Sequence, residues 1–96
     1  MSDIVKGTTK SGFKYEIDPG IINSWEAMEY RVRIEKGDSS AASEGFRFIL
    51  GTEQFDRILE HIRKKTGKPY ASQDDVIEIA NEIINAALGE EEAKNS

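Results

Sequence analysis

The side chains that could support acid–base or metal chemistry are few and scattered. His61 is the only histidine, and the chain has no cysteine, so no second imidazole or thiolate could share a metal with it. On a helix, His61 would lie one turn from the cations Arg57 and Lys65. We therefore expect His61 at the surface or at the rim of the core, without a metal-binding or catalytic role.

Neighbouring carboxylates also lack the arrangement that a catalytic pair needs. Asp74 and Asp75 are adjacent, so on a helix they point in different directions. Glu78 and Glu82 share a face four residues apart, where two solvated charges only repel each other mildly. No glycine belongs to a phosphate-binding loop with the required Lys and Ser or Thr. The sequence therefore predicts no enzyme, no cofactor and no metal.

The charge of the chain disfavours nucleic acid as a partner. Its 96 residues carry 13 basic and 18 acidic side chains, for a net charge of −5. A phosphate backbone repels such a chain. The only basic cluster, within residues 63–68, lies near the end of a predicted helix, where cations interact favourably with the helix dipole and need no ligand.

Composition also argues against a membrane or secreted protein. The hydrophobic share is 38%, and no apolar run approaches the length of a membrane span. Residues 1–10, MSDIVKGTTK, contain no extended apolar region, so a secretory signal is not expected. The lack of cysteine suits the cytoplasm.

Residues 51–69, GTEQFDRILEHIRKKTGKP, have the clearest helix pattern in the chain. Apolar side chains recur there at helical spacing: Phe55, Ile58, Leu59 and Ile62. Thr52 is predicted to cap the start. Gly67 can take the left-handed conformation that closes a helix, and Pro69 prevents its continuation.

The N-terminal part predicts a β-hairpin, with strands at residues 4–9 and 13–17 and a turn over residues 10–12. The second strand alternates, and its apolar residues share one face: Phe13, Tyr15 and Ile17. This face must pack on helices or pair with another chain, because an isolated hairpin is marginally stable. The outer edge of the ribbon is also a place where a partner could add a strand.

Asp18 and Pro19 predict a helix start, with Asp as the cap and Pro at the first helical position. Residues 23–26 offer a second, later start. An apolar stripe follows at helical spacing: Ile21, Trp25, Met28 and Val32. We expect a helix to about Glu35, with Trp25 as a core anchor rather than a platform for stacking a ligand.

Residues 30–35 complicate this interpretation, because Tyr30, Val32 and Ile34 alternate with charged residues as they would in a strand. The helical pattern is longer and includes the tryptophan, so it is preferred. Gly37 ends this helix, and a third segment begins at residues 38–40 and runs to about Leu50. Gly45 inside that segment would be explained by a close helix crossing, and the alternative is that this helix is mobile.

The last predicted helix covers residues 73–88, with Ser72 and Asp75 resembling a capping box. One apolar stripe consists of Val76, Ala80, Ile83 and Ala87. A second stripe beside it consists of Ile77, Ile84 and Leu88. Gly89 is a natural stop, and residues 90–96 are expected to form a disordered acidic tail.

The predicted fold class is mainly α (α+β): an N-terminal β-hairpin followed by about four helices that pack as a small bundle. Residues 1–89 would form this single domain. The second stripe of the last helix either completes the core or docks a partner. The candidate partner-binding residues are Ile77, Ile84, Leu88, Phe13 and Tyr15.

Taken together and in order, several segments resemble the tail assembly chaperones of long-tailed, siphovirus-type phages and prophages of Gram-positive bacteria. They are TTKSGFKYEID, Trp25-Glu26 seven residues after Asp18, the Gly51-anchored helix and the final Ile-rich acidic helix. The resemblance covers roughly residues 8–88. The chain departs from it at Pro19-Gly20 and in YRVRIEKGDSS, where a plainer leucine-rich helix is expected.

This resemblance implies a non-catalytic protein that acts in the cytoplasm of the bacterial host and is absent from the mature virion. Such chaperones bind and shield the tape measure protein. They also recruit tail tube protein, commonly through a longer frameshifted form, and weak self-association is expected. The alternative is a small protein-interaction adaptor or regulator of a bacterium or mobile element.

Overall fold

A computed structural model describes the backbone of residues 4–95 and the side chains of residues 4–89. Two strands come first, β1 (Val5–Thr8) and β2 (Lys14–Ile17). Five helices follow: α1 (Pro19–Ile22), α2 (Trp25–Glu35), α3 (Ser40–Leu50), α4 (Thr52–Thr66) and α5 (Gln73–Asn95). The predicted fold class, a mainly helical protein with an N-terminal antiparallel hairpin, is confirmed.

The hairpin has the predicted strands and the predicted inner face. β1 and β2 are antiparallel, with Val5 opposite Ile17 and Gly7 opposite Tyr15. Gly12 closes the turn with a φ of 93°, a left-handed conformation that glycine adopts without strain. Phe13, Tyr15 and Ile17 are all buried in the core, so the apolar face packs on the helices.

Gly7 allows β1 to lie close to Tyr15. A Cβ atom built on Gly7 would overlap the phenol end of that ring. Tyr15 is itself buried, so the ring has little space into which it could retreat. A glycine is therefore needed here because of close packing rather than because of its backbone angles.

We expect Gly7→Ala to lower the free energy of unfolding by about 1–2 kcal/mol, because the added methyl group overpacks a buried site. Urea denaturation of Gly7→Ala, Tyr15→Phe and the double variant would measure the coupling. Removing the phenol oxygen should recover part of the loss in the double variant. Simple additivity of the two single effects would contradict the proposed contact.

The predicted first helix is divided into two, which corrects the expectation of a continuous helix to Glu35. Asp18 caps α1 as predicted, accepting a hydrogen bond from the Gly20 amide at 2.9 Å. Ser24 then interrupts the helix. Its hydroxyl donates to the Ile21 carbonyl at 2.7 Å and accepts from the Ala27 amide at 3.1 Å. One side chain thus closes α1 and opens α2, which then takes its own orientation.

The face of α2 that points to the core was predicted wrongly. Trp25 is 69% exposed and is no core anchor. The buried side is instead the one with Ala27, and Tyr30 lies over Gly45 of α3, where a Cβ atom would be 3.2 Å from the Tyr30 Cβ. The close helix crossing predicted for Gly45 is therefore present. Residues 30–35, which alternate as in a strand, are helical, so the preferred helical interpretation is confirmed.

The boundaries between the later helices agree with the sequence patterns, with one correction. Gly37, Gly51 and Gly67 all have positive φ and stand at helix ends. Asp38 caps the start of α3 by accepting from the Ser40 amide at 3.1 Å. Thr52, predicted as the cap of α4, is instead its first residue, and the Gly51 position supplies no side-chain cap.

The core lies where α4 and α5 meet the hairpin. Ile58 and Ile83 are its largest completely buried side chains. Ala80 and Ala87 of the predicted first stripe of α5 are also completely buried. Ser72 accepts from the Asp75 amide at 3.2 Å, as the predicted cap requires.

The predicted stop of α5 at Gly89 is wrong, because the helical backbone continues to Asn95. A glycine in a helix costs only about 1 kcal/mol, and the following residues are good helix formers. The predicted disorder of the acidic tail, residues 90–96, stays a prediction, and Ser96 lies outside the described residues.

Candidate partner-binding surfaces

The five predicted partner-binding residues do not form one surface. Phe13 and Tyr15 are buried in the core, which excludes direct contact with a partner in this state. Ile84 and Leu88 are half-buried and pack against the core. Ile77 is 44% exposed. The second stripe of α5 therefore mostly completes the core, and only Ile77 projects from it.

The largest exposed apolar side chain lies on α2, where helical spacing predicted a core contact. Trp25, Met28 and Val32 follow one another at spacings of three and four, so they share one face of the helix. Tyr30, which packs on α3, lies on the opposite side. Trp25 and Val32 are exposed and Met28 is half-buried. We call Trp25, Met28 and Val32 the α2 outer face.

The signal for this face was present in the sequence. Helical spacing correctly grouped Trp25 with Met28 and Val32, but it could not tell whether the group faced inward or outward. Because tryptophan is usually buried, the group was predicted to face the core, and this prediction was wrong. Gly45 has no side chain, so Tyr30 rather than Trp25 packs against α3.

His61 lies at the rim of the core, as predicted. Its Nε2 atom is 2.9 Å from the Ser11 hydroxyl, and its ring meets the Phe13 ring edge-on at a centroid distance of 5.4 Å. Nearby, the Lys10 amide donates to a Glu82 carboxylate oxygen at 2.8 Å. These contacts join the hairpin turn to α4 and α5 around a cleft of about 200 Å³.

A serine hydroxyl beside an imidazole also resembles part of a nucleophilic site. Such a site needs a third group to orient the imidazole and donors for an oxyanion. In the described residues, no carboxylate is hydrogen-bonded to the His61 ring. The Ser11–His61 contact is therefore interpreted as a tether for the hairpin turn.

An open groove of about 830 Å³ runs beside the ribbon and the start of α4. Its lining includes Lys6, Lys14 and Arg57 together with the carboxylates Glu16 and Glu53. Charges of both signs are mixed along it, so the groove does not select an anionic or a cationic ligand.

Gln54 forms one wall of this groove and closes the outer edge of β2. Its side-chain carbonyl accepts from the Glu16 amide at 2.9 Å. Its side-chain NH₂ donates to the carbonyls of Glu16 and Leu50, each at 2.9 Å. The buried amide thus occupies the place of a neighbouring strand and joins β2 to the corner between α3 and α4.

The shifted pKa values belong to an ion-pair network that joins α2 to α3. Hydrogen bonds from the Ser40 hydroxyl and from Arg33 lower the pKa of Asp38. Hydrogen bonds to Asp38 and Glu44 raise the pKa of Arg33. The Arg33 Nη2 atom lies 2.8 Å from a carboxylate oxygen of Asp38 and 2.6 Å from one of Glu44. Their side chains are well exposed, so the network orients α2 more than it stabilises the fold.

Neither a metal site nor a membrane helix is present in the described part of the chain. Over those residues, no group of three or more His, Cys, Asp or Glu side chains could hold a metal ion. The helices described here include none that is both long and apolar enough to cross a membrane.

Comparison with known proteins found no match among protein-family models, curated proteins or solved structures.

Proposed function

We propose that this protein is a tail assembly chaperone of a long-tailed phage or prophage, and that it binds and shields the tape measure protein during tail assembly. The observation that supports this proposal is the α2 outer face. Trp25, the most exposed large apolar side chain in the described residues, lies there beside Met28 and Val32. The ordered sequence resemblance to such chaperones is the second support.

The α2 outer face suits an apolar helical partner. Three side chains at helical spacing form a ridge that can enter the groove of another helix. Tryptophan is among the residues that most often dominate binding energy at interfaces. Because α2 packs chiefly on α3, its other side is left for a partner. A tape measure protein, which is long and largely helical, offers such apolar stripes repeatedly.

Ile77 on α5 is a second, smaller contact candidate. It is 44% exposed, whereas its stripe neighbours Ile84 and Leu88 pack against the core. A test of this surface should therefore change Ile77 alone, because replacing Ile84 would also disturb packing.

The rest of the proposed role follows from the same family resemblance. The chaperone would act in the host cytoplasm, leave before the virion is complete and recruit tail tube protein through a longer frameshifted form. The net charge of −5 would keep chaperone-coated tape measure protein dispersed.

The proposal is tested by co-expressing this chain with a fragment of the tape measure protein from the same phage or prophage. We expect the fragment to retain the chain, and Trp25→Asp to weaken binding roughly tenfold or more, as for a central interface tryptophan. Trp25 is the first residue of α2, a position where aspartate is favourable, so the variant should fold. Binding would be measured by titration calorimetry.

Ile34→Asp is the matched control. Ile34 is 45% exposed on the same helix. It follows Trp25 by nine residues, so it lies on the opposite side of the helix, about 180° around the axis. It should bind the fragment like the unchanged chain, and Ile77→Asp should show whether α5 contributes. Equal binding by Trp25→Asp would remove the α2 outer face from the proposal. Failure of every tape measure fragment to bind would favour the adaptor alternative.

A further inference from the structure

The hydrogen bonds of the ribbon show which backbone groups point outward. Glu16 directs its amide and carbonyl to Gln54, away from β1. The Thr9 amide donates to the Phe13 carbonyl at 2.9 Å, within the ribbon. Bonded and non-bonded pairs alternate along an antiparallel ribbon. The bonded pairs of the two strands are therefore Val5–Ile17 and Gly7–Tyr15. At the turn, Thr9 and Phe13 continue this pattern with a single backbone bond.

By the same alternation, Lys6 and Thr8 direct their backbone amides and carbonyls to the outer edge of β1. Among the described groups, which are the backbone of residues 4–95 and the side chains of residues 4–89, no hydrogen bond from another segment reaches these amides and carbonyls. Both side chains are exposed. The two edges of the ribbon thus differ. Gln54 closes the β2 edge, whereas the β1 edge presents backbone donors and acceptors in the pattern that an extended strand recognises.

We propose that β1 of a second copy of this chain pairs with this edge, antiparallel, about a two-fold axis at Gly7. In this register Lys6 of each copy is opposite Thr8 of the other, and the two pairs exchange four backbone hydrogen bonds. The two Gly7 residues meet at the axis without side chains. A continuous four-stranded sheet results, and the core faces of both copies lie on the same side.

The β1 sequence can pair with a second copy of itself without opposing like charges, and charge favours the Gly7 axis over the axes at Lys6 and Thr8. An axis at Lys6 would place the two Lys6 side chains directly opposite each other, and an axis at Thr8 would place Lys6 opposite Lys10. Like charges in directly opposed positions are destabilising. The Gly7 register avoids both conflicts, and Glu16 of the same ribbon lies 3.7 Å from the Lys6 ammonium. The inference does not depend on the proposed function.

Cysteine cross-linking tests the pairing, because the chain has no cysteine of its own. Opposed residues of a bonded pair have Cα atoms about 5.5 Å apart, within the range of about 4.4–6.8 Å that a disulfide spans. A mixture of the Lys6→Cys and Thr8→Cys chains, oxidised mildly, should give several times more covalent dimer on a non-reducing gel than either variant alone.

A mixture of the Thr8→Cys and Lys14→Cys chains is the control. Lys14 is also an exposed ribbon lysine, but in the proposed sheet it lies on the outermost strand, away from Thr8 of the other copy. Equal dimer in both mixtures would indicate random collision and overturn the proposal. Dimer that is strongest with Lys6→Cys alone would overturn the Gly7 register.

Sedimentation equilibrium of the unchanged chain provides an independent measurement. The dimer fraction should rise with protein concentration, and Thr8→Pro should lower it, because proline removes an outward amide without removing a bond inside the ribbon. Circular dichroism would confirm that Thr8→Pro is folded. A monomer at every concentration would overturn the proposal.

Discussion

Ile83→Ala is expected to lower the free energy of unfolding by about 2–5 kcal/mol, the usual cost of removing a large aliphatic side chain from a closed core. Ile83 is completely buried on α5 and belongs to the hydrophobic core cluster. A domain of this size is stabilised by only about 5–15 kcal/mol, so the variant should lose a large fraction of its stability. Urea denaturation followed by circular dichroism would measure the loss.

Ile77→Ala is the matched control for Ile83→Ala. It removes the same atoms from the same helix, at a position that is 44% exposed. We expect its effect to stay below about 1 kcal/mol, since surface substitutions rarely cost more. Similar losses for the two variants would show that α5 presents a different face to the core.

Gln54→Met is expected to lower the free energy of unfolding by about 2–3 kcal/mol, because each buried polar group left without a partner costs about 1–3 kcal/mol. Methionine has a similar length but can neither accept from the Glu16 amide nor donate to the carbonyls of Glu16 and Leu50. The stability loss would be measured by urea denaturation.

Hydrogen exchange would separate this effect from a general loss of packing. The Glu16 amide should exchange much faster in Gln54→Met, whereas the Gly7 amide, in a pair bonded within the ribbon, should change only with global stability. Glu53→Met is the control, because Glu53 precedes Gln54 on α4 but is exposed. Unchanged protection of Glu16 would contradict the role of Gln54 as the closing group of the β2 edge.

These two predictions concern the scaffold, whereas the proposed binding surfaces lie outside it. Trp25 and Ile77 project from helices whose opposite sides are packed, so they can be replaced without opening the core. Lys6 and Thr8 likewise contribute only exposed side chains and outward backbone groups. Partner binding and self-association should therefore respond to substitutions that leave the stability of the fold nearly unchanged.

Local sequence signals alone predicted most of the helix and strand boundaries. The hairpin follows from the alternation of residues 13–17 and from the turn at Gly12, and the ends of the helices follow from Gly37, Gly51 and Gly67. These signals depend on backbone angles and hydrogen bonds within a few residues, so they do not need the rest of the fold. The inner faces of β2 and α4 were also predictable, because each has a single apolar side.

Only the tertiary structure decided the orientation of α2 and the closing of the β2 edge. Helical spacing groups Trp25 with Met28 and Val32, but Tyr30 on the other side of α2 packs on Gly45 and turns that group outward. The partnership of Gln54 with Glu16 spans 38 positions in the chain, and no local pattern indicates it. The physical reason is the same in both cases: spacing determines which side chains share a face, whereas the choice between faces depends on the shape and hydrogen-bonding groups of segments far away in sequence.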